Sequence, residues 1–300
     1  MPRIALGIEY DGSAYAGWQQ QAHARSVQAE LERALAGVAG HEVVLTAAGR
    51  TDAGVHALVQ VAHFDSAAAR PEHAWALGGT AESADDVTVL WAREVPGQFH
   101  ARHSALSRTY VYRILNRRMR PALDRQRVCW VRRPLDADRM HRAAQCLLGE
   151  RDFSAFRAAE CQSSTPMRRL IEIGVERLGD TVEITVRANA FLHHMVRNIA
   201  GSLLLLGGGD RTEGWLAEVL EARDRRLAGP AAPPQGLYFA GVGDPAEVPV
   251  PCAPPGSGRI GPGPRRGLYF AGVEYPAEFR LPCVPRGSGR LGAGPSGDPP

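Results

Sequence analysis

An aspartate in a short loop between two glycines is the first residue whose surroundings could do chemistry. Asp52 lies in residues 49–56, GRTDAGVH, with Arg50 two residues before it and His56 four residues after it. Flanking glycines leave the backbone open to a ligand, and a carboxylate held there can act as a nucleophile or accept a proton. The alternative is a turn in which Asp52 only bonds its own backbone, the common role of an isolated Asp-x-Gly. The eight-residue string is far more specific than that motif.

Three basic residues close together form a second candidate group. His193, His194 and Arg197 begin a segment, residues 193–206, whose apolar spacing predicts a helix. We expect the three basic side chains to share one face of that helix. Arg197 taken alone fits an ordinary surface arginine equally well. The opposite, core-facing side holds Met195, Val196, Ile199, Leu203 and Leu206.

Two tyrosines could supply an aromatic surface. Tyr110 and Tyr112 point to the same side of a predicted strand, because side chains alternate with a period of two. Two core aromatics are the usual explanation of such a pair. We expect Tyr112 in the core and Tyr110 at the edge of a cleft.

Strands and helices in mixed order must position these groups. Alternation and β-formers predict strands at residues 3–10, 42–47, 58–64, 87–93 and 108–115, and a hairpin of 170–177 with 181–187. Helical spacing predicts helices from Ser26 to about residue 38 and at 71–77, 136–148, 193–206 and 212–223. Helices that return between antiparallel-looking strands favour an α+β fold over a doubly wound parallel sheet.

The C-terminal part of the chain contains a duplicated segment. Residues 236–264 recur at 267–295 with 20 of 29 positions identical, and only the hexad LYFAGV in each copy resembles a strand. The rest is rich in Pro, Gly and Ser and cannot bury enough apolar surface to order itself. We expect the first hexad, at 237–242, to dock and most of the chain after Val248 to be a loose tail. We place the domains at residues 1–105, 106–248 and 249–300.

Composition limits the class of protein. The chain has 300 residues, 44% of them hydrophobic, with no secretory apolar run at the N-terminus. The longest aliphatic run, Leu203 to Leu206, is too short to span a bilayer. Five cysteines form no CxxC pair, which suits free thiols in a reducing cytosol and argues against structural zinc. These features predict a soluble cytoplasmic protein.

Positive charge is concentrated in the middle of the chain. Residues 100–142 hold twelve Arg against three Asp and no Glu, a formal charge of +9. Such a segment can neutralise phosphates and attract a polyanion. All 35 basic residues are Arg, however, so a codon bias explains the enrichment about equally well.

The loop string GRTDAGVH resembles the signature of the TruA family of tRNA pseudouridine synthases. The resemblance extends over roughly residues 3–243 in many ordered motifs, which makes a chance match implausible. These motifs are ALGIEYDG at 5–12, GWQ at 17–19, FHAR at 99–102, RTYVY at 108–112, DF at 152–153 and NAFLHHMVRN at 189–198.

The resemblance implies a role for each matching residue. Asp52 matches the catalytic nucleophile, Tyr110 the active-site tyrosine that stacks on the target base, and Arg197 the basic partner of the carboxylate. Arg50 matches the arginine that enters the RNA as the target nucleotide leaves the stack. Further RNA contacts are expected from His56, Arg102, Arg108, His193 and His194. His100 and His103 flank Arg102 without a nearby carboxylate, so we interpret them as RNA-facing or structural and expect no metal site.

The resemblance also implies the fold, partner and reaction. It predicts a pseudouridine synthase fold, with two α+β halves whose mainly antiparallel sheets join across a basic cleft. It implies a homodimer that isomerises uridines at positions 38–40 in the anticodon arm of tRNA. The isomerisation involves no redox change and no energy input, so no cofactor is expected.

One segment departs from the family pattern and leaves two alternatives open. Residues 78–86, GGTAESADD, lack the usual Asn and Leu-Pro, which puts the geometry of a loop near the cleft in doubt. A catalytically weak RNA-binding protein on the same scaffold is the first alternative. A carboxylate-dependent hydrolase of a phosphorylated small molecule, which would require a metal, is the second.

Overall fold

A single ten-stranded sheet organises the computed structural model, which describes residues 1–242, 276–279 and 281. The strand order is β4-β1-β3-β10-β5-β9-β8-β7, with β2 on β3 and β6 on β5, and nearly all pairs are antiparallel. Helices that alternate along the chain with strands of a mostly antiparallel sheet confirm the predicted α+β class. The strands are β1 Arg3–Tyr10, β2 Thr46–Ala47, β3 His56–Asp65, β4 Val87–Val95, β5 Arg108–Asn116, β6 Cys129–Val131, β7 Gly149–Asp152, β8 Met167–Leu178, β9 Thr181–Ala188 and β10 Leu237–Val242.

Strand β10 joins the two sides of the sheet. It runs parallel to β3, with Tyr238 opposite His56, and antiparallel to β5, with Phe239 opposite Tyr110. The first hexad of the duplication therefore docks, as predicted, while the second hexad lies outside the described residues. Because β10 is the only link between β3 and β5 in the described sheet order, it fixes the Asp52 loop relative to Tyr110.

Helices α1 and α2 pack together beside β4. Helix α1, Val27–Ala39, is capped by the Ser26 hydroxyl, which accepts a hydrogen bond from the Ala29 amide at 3.3 Å. Helix α2, Glu72–Glu82, is longer than the predicted residues 71–77 and includes part of the segment expected to form a loop. The reason is close packing: a Cβ on Gly78 would lie 2.7 Å from Val38, and one on Gly79 would lie 3.1 Å from Val89.

The other three helices accompany the C-terminal strands. Helix α3, Ala137–Ala144, packs on β8 and on α4, Met195–Gly207, and α5, Trp215–Ala222, comes next along the chain. Several boundaries differ from the prediction. The strand expected at 42–47 is only β2, helix α3 ends in a 3-10 turn at Gln145–Leu147, and α5 begins three residues later than expected.

A short segment of the tail returns to the core. Phe279 in the turn Ala277–Phe279 is 5% exposed, and its ring packs edge-on against Phe99 with centroids 5.1 Å apart. Leu281 packs beside it, partly buried. The Pro- and Gly-rich composition around this segment gave no sign of that contact.

The sequence predicts free thiols and no membrane-spanning segment. Among the described residues, no helix has the length and hydropathy needed to cross a membrane. Cys129, Cys146 and Cys161 are free thiols, and Cys252 and Cys283 lie outside the described part of the chain.

Deleting residues 250–300 tests the contribution of this returning segment. We expect a folded protein, because β10 remains, with an unfolding free energy lowered by about 2 kcal/mol through loss of the buried Phe279 ring. Chemical denaturation measures the change. Phe279→Ala should reproduce most of the loss and Phe279→Leu much less. Equal stability of the full-length and shortened chains would show that the Phe99 contact contributes nothing.

Candidate active site

The loop that carries Asp52 is a tight turn leading into β3. The Val55 amide donates to the Asp52 carbonyl at 3.1 Å, and Gly54 has φ of 75°, a left-handed conformation that glycine adopts without strain. The turn exposes the Asp52 side chain in part, with 25% of its surface accessible. The carboxylate is therefore half-buried at the surface of the sheet rather than enclosed.

Contacts from three other elements fix the backbone just before Asp52. The Trp18 amide donates to the Thr51 carbonyl at 3.0 Å, and the Gln60 amide side chain donates to the Gly49 carbonyl at 2.8 Å. The Tyr10 hydroxyl is hydrogen-bonded to the Thr51 hydroxyl at 2.8 Å. Burial raises the pKa of Tyr10 to about 12, so this hydroxyl stays neutral and remains a hydrogen-bonding partner. The loop is thus held before any ligand arrives.

Three nitrogen groups surround the Asp52 carboxylate. His193 Nε2 lies 3.4 Å from Oδ1, His194 Nε2 lies 3.2 Å from Oδ2, and Arg197 Nη1 lies 3.4 Å from Oδ2. A fixed guanidinium at this distance attracts the carboxylate and holds its orientation. The site is therefore built around one anionic oxygen pair with a permanent cation beside it.

The two histidines contact Asp52 from the residues just before helix α4, and not from the helix face that the sequence predicts. Helix α4 begins at Met195, so both histidines precede it, and His194 has φ of 59° in the left-handed region. That conformation brings the two rings together, with centroids 4.0 Å apart. Burial lowers the pKa of His194, although the Asp52 charge raises it, so the neutral ring is favoured. The predicted grouping with Arg197 therefore exists, but a backbone bend produces it.

Arg197 is locked in place by one backbone group. Its Nε donates to the Ala232 carbonyl at 2.8 Å, while the Ala232 amide donates back to the Arg197 carbonyl at 2.9 Å. This reciprocal pair leaves Nη1 directed at Asp52. The segment before β10 therefore orients the cation of the site.

Tyr110 lies beneath the Asp52 loop. Its ring is 9% exposed and makes edge contacts with Phe191 and Phe239, each with centroids 5.1 Å apart. Burial, together with the Asp52 charge, holds the pKa of Tyr110 far above its usual value, so the hydroxyl is neutral. Tyr112 is fully buried and donates to the Pro233 carbonyl at 2.8 Å, in agreement with its expected core position.

The expected RNA-contacting residues separate into two groups. Arg50 and Arg102 are exposed, with no side-chain hydrogen bond or ion pair to another described residue, and His193 is 40% exposed. Arg108 instead donates to the carbonyls of Ala48, at 3.1 Å, and Asn189, at 2.8 Å. Its guanidinium therefore ties the Asp52 loop to the segment before α4, a structural role that the sequence did not indicate.

His56 is corrected from an RNA contact to a buried structural residue. It is 2% exposed, its Nδ1 accepts from the Gly12 amide at 3.1 Å, and its Nε2 lies 2.9 Å from the Gln126 carbonyl. The ring stacks on Tyr238 with centroids 4.8 Å apart. Burial lowers the pKa of His56, so the ring is a neutral link between the turn after β1 and residue 126.

His100 and His103 lie together, whereas another group, around Asp52, has metal-binding geometry. His100 Nδ1 accepts from the amides of Arg102 and His103 at 3.2 Å each, which favours the structural interpretation of this pair. The ligand atoms of Asp52, His193 and His194, by contrast, all lie within 4.8 Å of one another. The sequence predicted no metal site, yet these three residues can hold an ion.

Sequence reasoning missed the residues that support the site. The alternation of side chains along a strand predicts which residues near Tyr10 and Gln60 point inward. Nothing in the sequence, however, pairs Tyr10 with Thr51 or Gln60 with Gly49. Ala232 acts only through its backbone, so its residue type carries no signal. Gly17 has φ of 102°, and a Cβ there would lie 2.6 Å from the Thr51 carbonyl oxygen. The sequence shows Gly17 only within the GWQ motif and does not indicate this close contact.

Known proteins with this sequence pattern share one activity in their names. The family model described as tRNA pseudouridine synthase matches residues 7–104 and 143–243. A tRNA pseudouridine synthase A from Cronobacter sakazakii is 54% identical over 254 residues, which cover 85% of this chain and 94% of that protein. Its counterpart from Xanthomonas euvesicatoria is 55% identical over 251 residues, 83% of this chain and 98% of that protein.

The residues matched by the family model include the Asp52 loop and the start of α4. The chain belongs to the tRNA pseudouridine synthase family. The resemblance inferred from the motifs is thereby confirmed.

Replacing Tyr10 by Phe tests whether the loop contact positions Asp52. Removing the hydroxyl leaves Thr51 without its buried partner, so we expect turnover to fall about tenfold and stability to fall by about 1 kcal/mol. Single-turnover rates and thermal melting measure the two effects. Tyr238→Phe is the matched control, because it loses a hydroxyl bond of 2.7 Å to the Arg127 carbonyl. Equal turnover of the two variants would remove the positioning role.

Proposed function

We propose that this protein isomerises uridine to pseudouridine at positions 38–40 in the anticodon arm of tRNA, with Asp52 as the nucleophile. Membership of the tRNA pseudouridine synthase family supports the reaction and the tRNA substrate. The observation that carries the role of Asp52 is its contact with Arg197 at 3.4 Å on a loop anchored from three sides. A rigid, charged and half-exposed carboxylate is the group that such a reaction requires.

The chemistry requires a carboxylate and no redox partner. The N1–C1′ bond of uridine breaks, the uracil turns, and a C5–C1′ bond forms while C5 loses its proton and N1 gains one. A carboxylate can attack the sugar or the base covalently, or it can accept the proton. Each route requires the anionic form of Asp52, and the Arg197 guanidinium lies 3.4 Å from one of its oxygens.

Tyr110 is proposed to hold the uracil after it leaves the RNA stack. Extruding a base costs a few kcal/mol, and stacking on an aromatic ring contributes about 1–3 kcal/mol. Tyr110 is neutral, and the negative charge of Asp52 helps to keep it so. Its edge contacts with Phe191 and Phe239 immobilise the ring, so little entropy is lost when a base stacks there.

Exposed cations around the site are proposed to bind the RNA backbone. Arg50 lies two residues before Asp52, and the side chains of Arg50 and Arg102 are both exposed, so each can bind a phosphate of the RNA. We further propose that two α+β halves, residues 1–105 and 106–248, face each other across a basic cleft. Two copies of the chain are proposed to act as a cytoplasmic homodimer on one tRNA, with residues 249–300 as a tail.

Asp52→Asn tests the nucleophile directly. The amide keeps the shape of the side chain but cannot attack or accept a proton, so turnover should be abolished. Binding of tRNA should change little, because Arg50 and Arg102 remain. Tritium release from C5-labelled uridine in tRNA measures turnover, and filter binding measures affinity. Substantial tritium release by this variant would refute the role of Asp52.

Replacing Arg197 tests the stabilisation of the carboxylate charge. Arg197→Ala removes the guanidinium that contacts Asp52 Oδ2 at 3.4 Å, so we expect a decrease in kcat of at least about tenfold. Arg197→Lys keeps the charge but loses the second donor nitrogen that lets Arg197 contact Ala232 and Asp52 together, so it should restore part of the rate. An unchanged kcat in Arg197→Ala would contradict this role.

A further inference from the structure

The spacing around Asp52 matches the coordination shell of a transition metal. Bonds from such an ion to imidazole nitrogen or carboxylate oxygen are about 2.0–2.2 Å, so neighbouring ligands of a tetrahedral site lie roughly 3.3–3.5 Å apart. His193 Nε2 lies 3.4 Å from one Asp52 oxygen and His194 Nε2 lies 3.2 Å from the other. Each imidazole nitrogen is therefore near that spacing from one carboxylate oxygen, and the three ligand atoms lie within 4.8 Å of one another, so a small movement would bring them onto one ion.

The two histidines are held in this arrangement by their backbone. The His193 amide donates to Cys161 Sγ at 3.4 Å, and its carbonyl accepts from the Ala158 amide at 3.1 Å. The His194 carbonyl accepts from the Asn198 amide at 2.9 Å while His194 keeps its left-handed conformation. Such a conformation is costly for a residue other than glycine, and it persists here because both neighbouring segments fix it. The ligands are thus organised in advance.

The three side chains are also open to solvent. His193 is 40% exposed, His194 29% and Asp52 25%, so an ion can enter without displacing protein groups. Two imidazoles and one carboxylate leave a fourth position for water, a common arrangement at accessible zinc sites.

We propose that Asp52, His193 and His194 bind one divalent transition-metal ion and that this ion reversibly blocks the active site. Two nitrogen donors select Zn²⁺, Co²⁺ or Ni²⁺ over Mg²⁺, which prefers an octahedron of oxygen ligands. The binding site rests on ligand geometry alone, whereas its inhibitory effect rests on the proposed function of Asp52. Coordination withdraws electron density from the carboxylate, and the ion occupies the space in front of it, so the metal-bound form is a poor nucleophile that the nucleotide cannot approach.

Replacing Arg197 should affect metal binding and catalysis in opposite directions. Its guanidinium contacts Asp52 Oδ2 and is fixed there by Ala232, so it repels a second cation at the carboxylate. Removing the positive charge should therefore strengthen metal binding about tenfold. The same substitution should lower turnover, so the two effects of Arg197→Ala have opposite signs.

Cobalt titration of the full-length protein tests the site without any RNA. We expect one Co²⁺ per chain with the visible absorption of a four- or five-coordinate ion, displaced by Zn²⁺ and unaffected by excess Mg²⁺. His193→Gln, His194→Gln and Asp52→Asn should each weaken binding at least about tenfold. His73→Gln, which changes an exposed histidine on α2, is the control and should bind as wild type does. Thermal melting confirms that each variant is folded.

Several results would overturn the proposal. Absence of the cobalt spectrum in wild type would do so, as would equal binding by the His193→Gln/His194→Gln variant and wild type. Weaker binding in Arg197→Ala would place the ion elsewhere.

Inhibition is measured separately, through turnover of tRNA. Zn²⁺ should inhibit tritium release in competition with tRNA, and EDTA should restore the full rate. Full activity with the site loaded would refute the block. Inactivity of the metal-free protein would refute the proposed function while leaving the cobalt result intact.

Discussion

The contact between Asp52 and Arg197 is the interaction on which the site depends, and it joins segments that are 145 residues apart. Neither partner could be held by its own loop or helix alone. The Arg197 guanidinium is aimed by the Ala232 carbonyl, and Ala232 precedes the strand β10 that lies between β3 and β5. The position of the Arg197 guanidinium therefore depends on β10, because this central strand holds the Asp52 loop, Tyr110 and Ala232 in fixed relative positions.

The Asp52 loop is held rigidly by hydrogen bonds, whereas nearby arginine side chains are exposed. Tyr10, Gln60 and Trp18 fix the loop from below, and Arg108 ties its base to Asn189. Above the loop, Arg50 and Arg102 are exposed. A fixed carboxylate keeps its geometry in the absence of substrate, which reduces the reorganisation needed during reaction. Exposed arginines suit phosphates, whose positions vary from one RNA to another.

The histidine pair shows how one local backbone feature enlarges what a site can bind. An ordinary helix starting at His193 would spread the two rings along its surface. The left-handed His194 instead brings the rings together and directs both Nε2 atoms at one carboxylate. The proposed metal site results from this convergence.

The sequence alone predicted the α+β class, most strand and helix positions and the docking of the first hexad, and it singled out Asp52, Tyr110 and Arg197 as residues of a candidate site. The spacing of apolar residues, the residues that cap helices and the extended loop motif are all local features of the chain, so the sequence alone shows them. Only the tertiary structure decided that His56 and Arg108 are structural, that α2 continues through Gly78 and Gly79, and that Phe279 returns to Phe99. Those outcomes depend on contacts between distant segments and on backbone carbonyls such as that of Ala232, whose positions no residue type encodes.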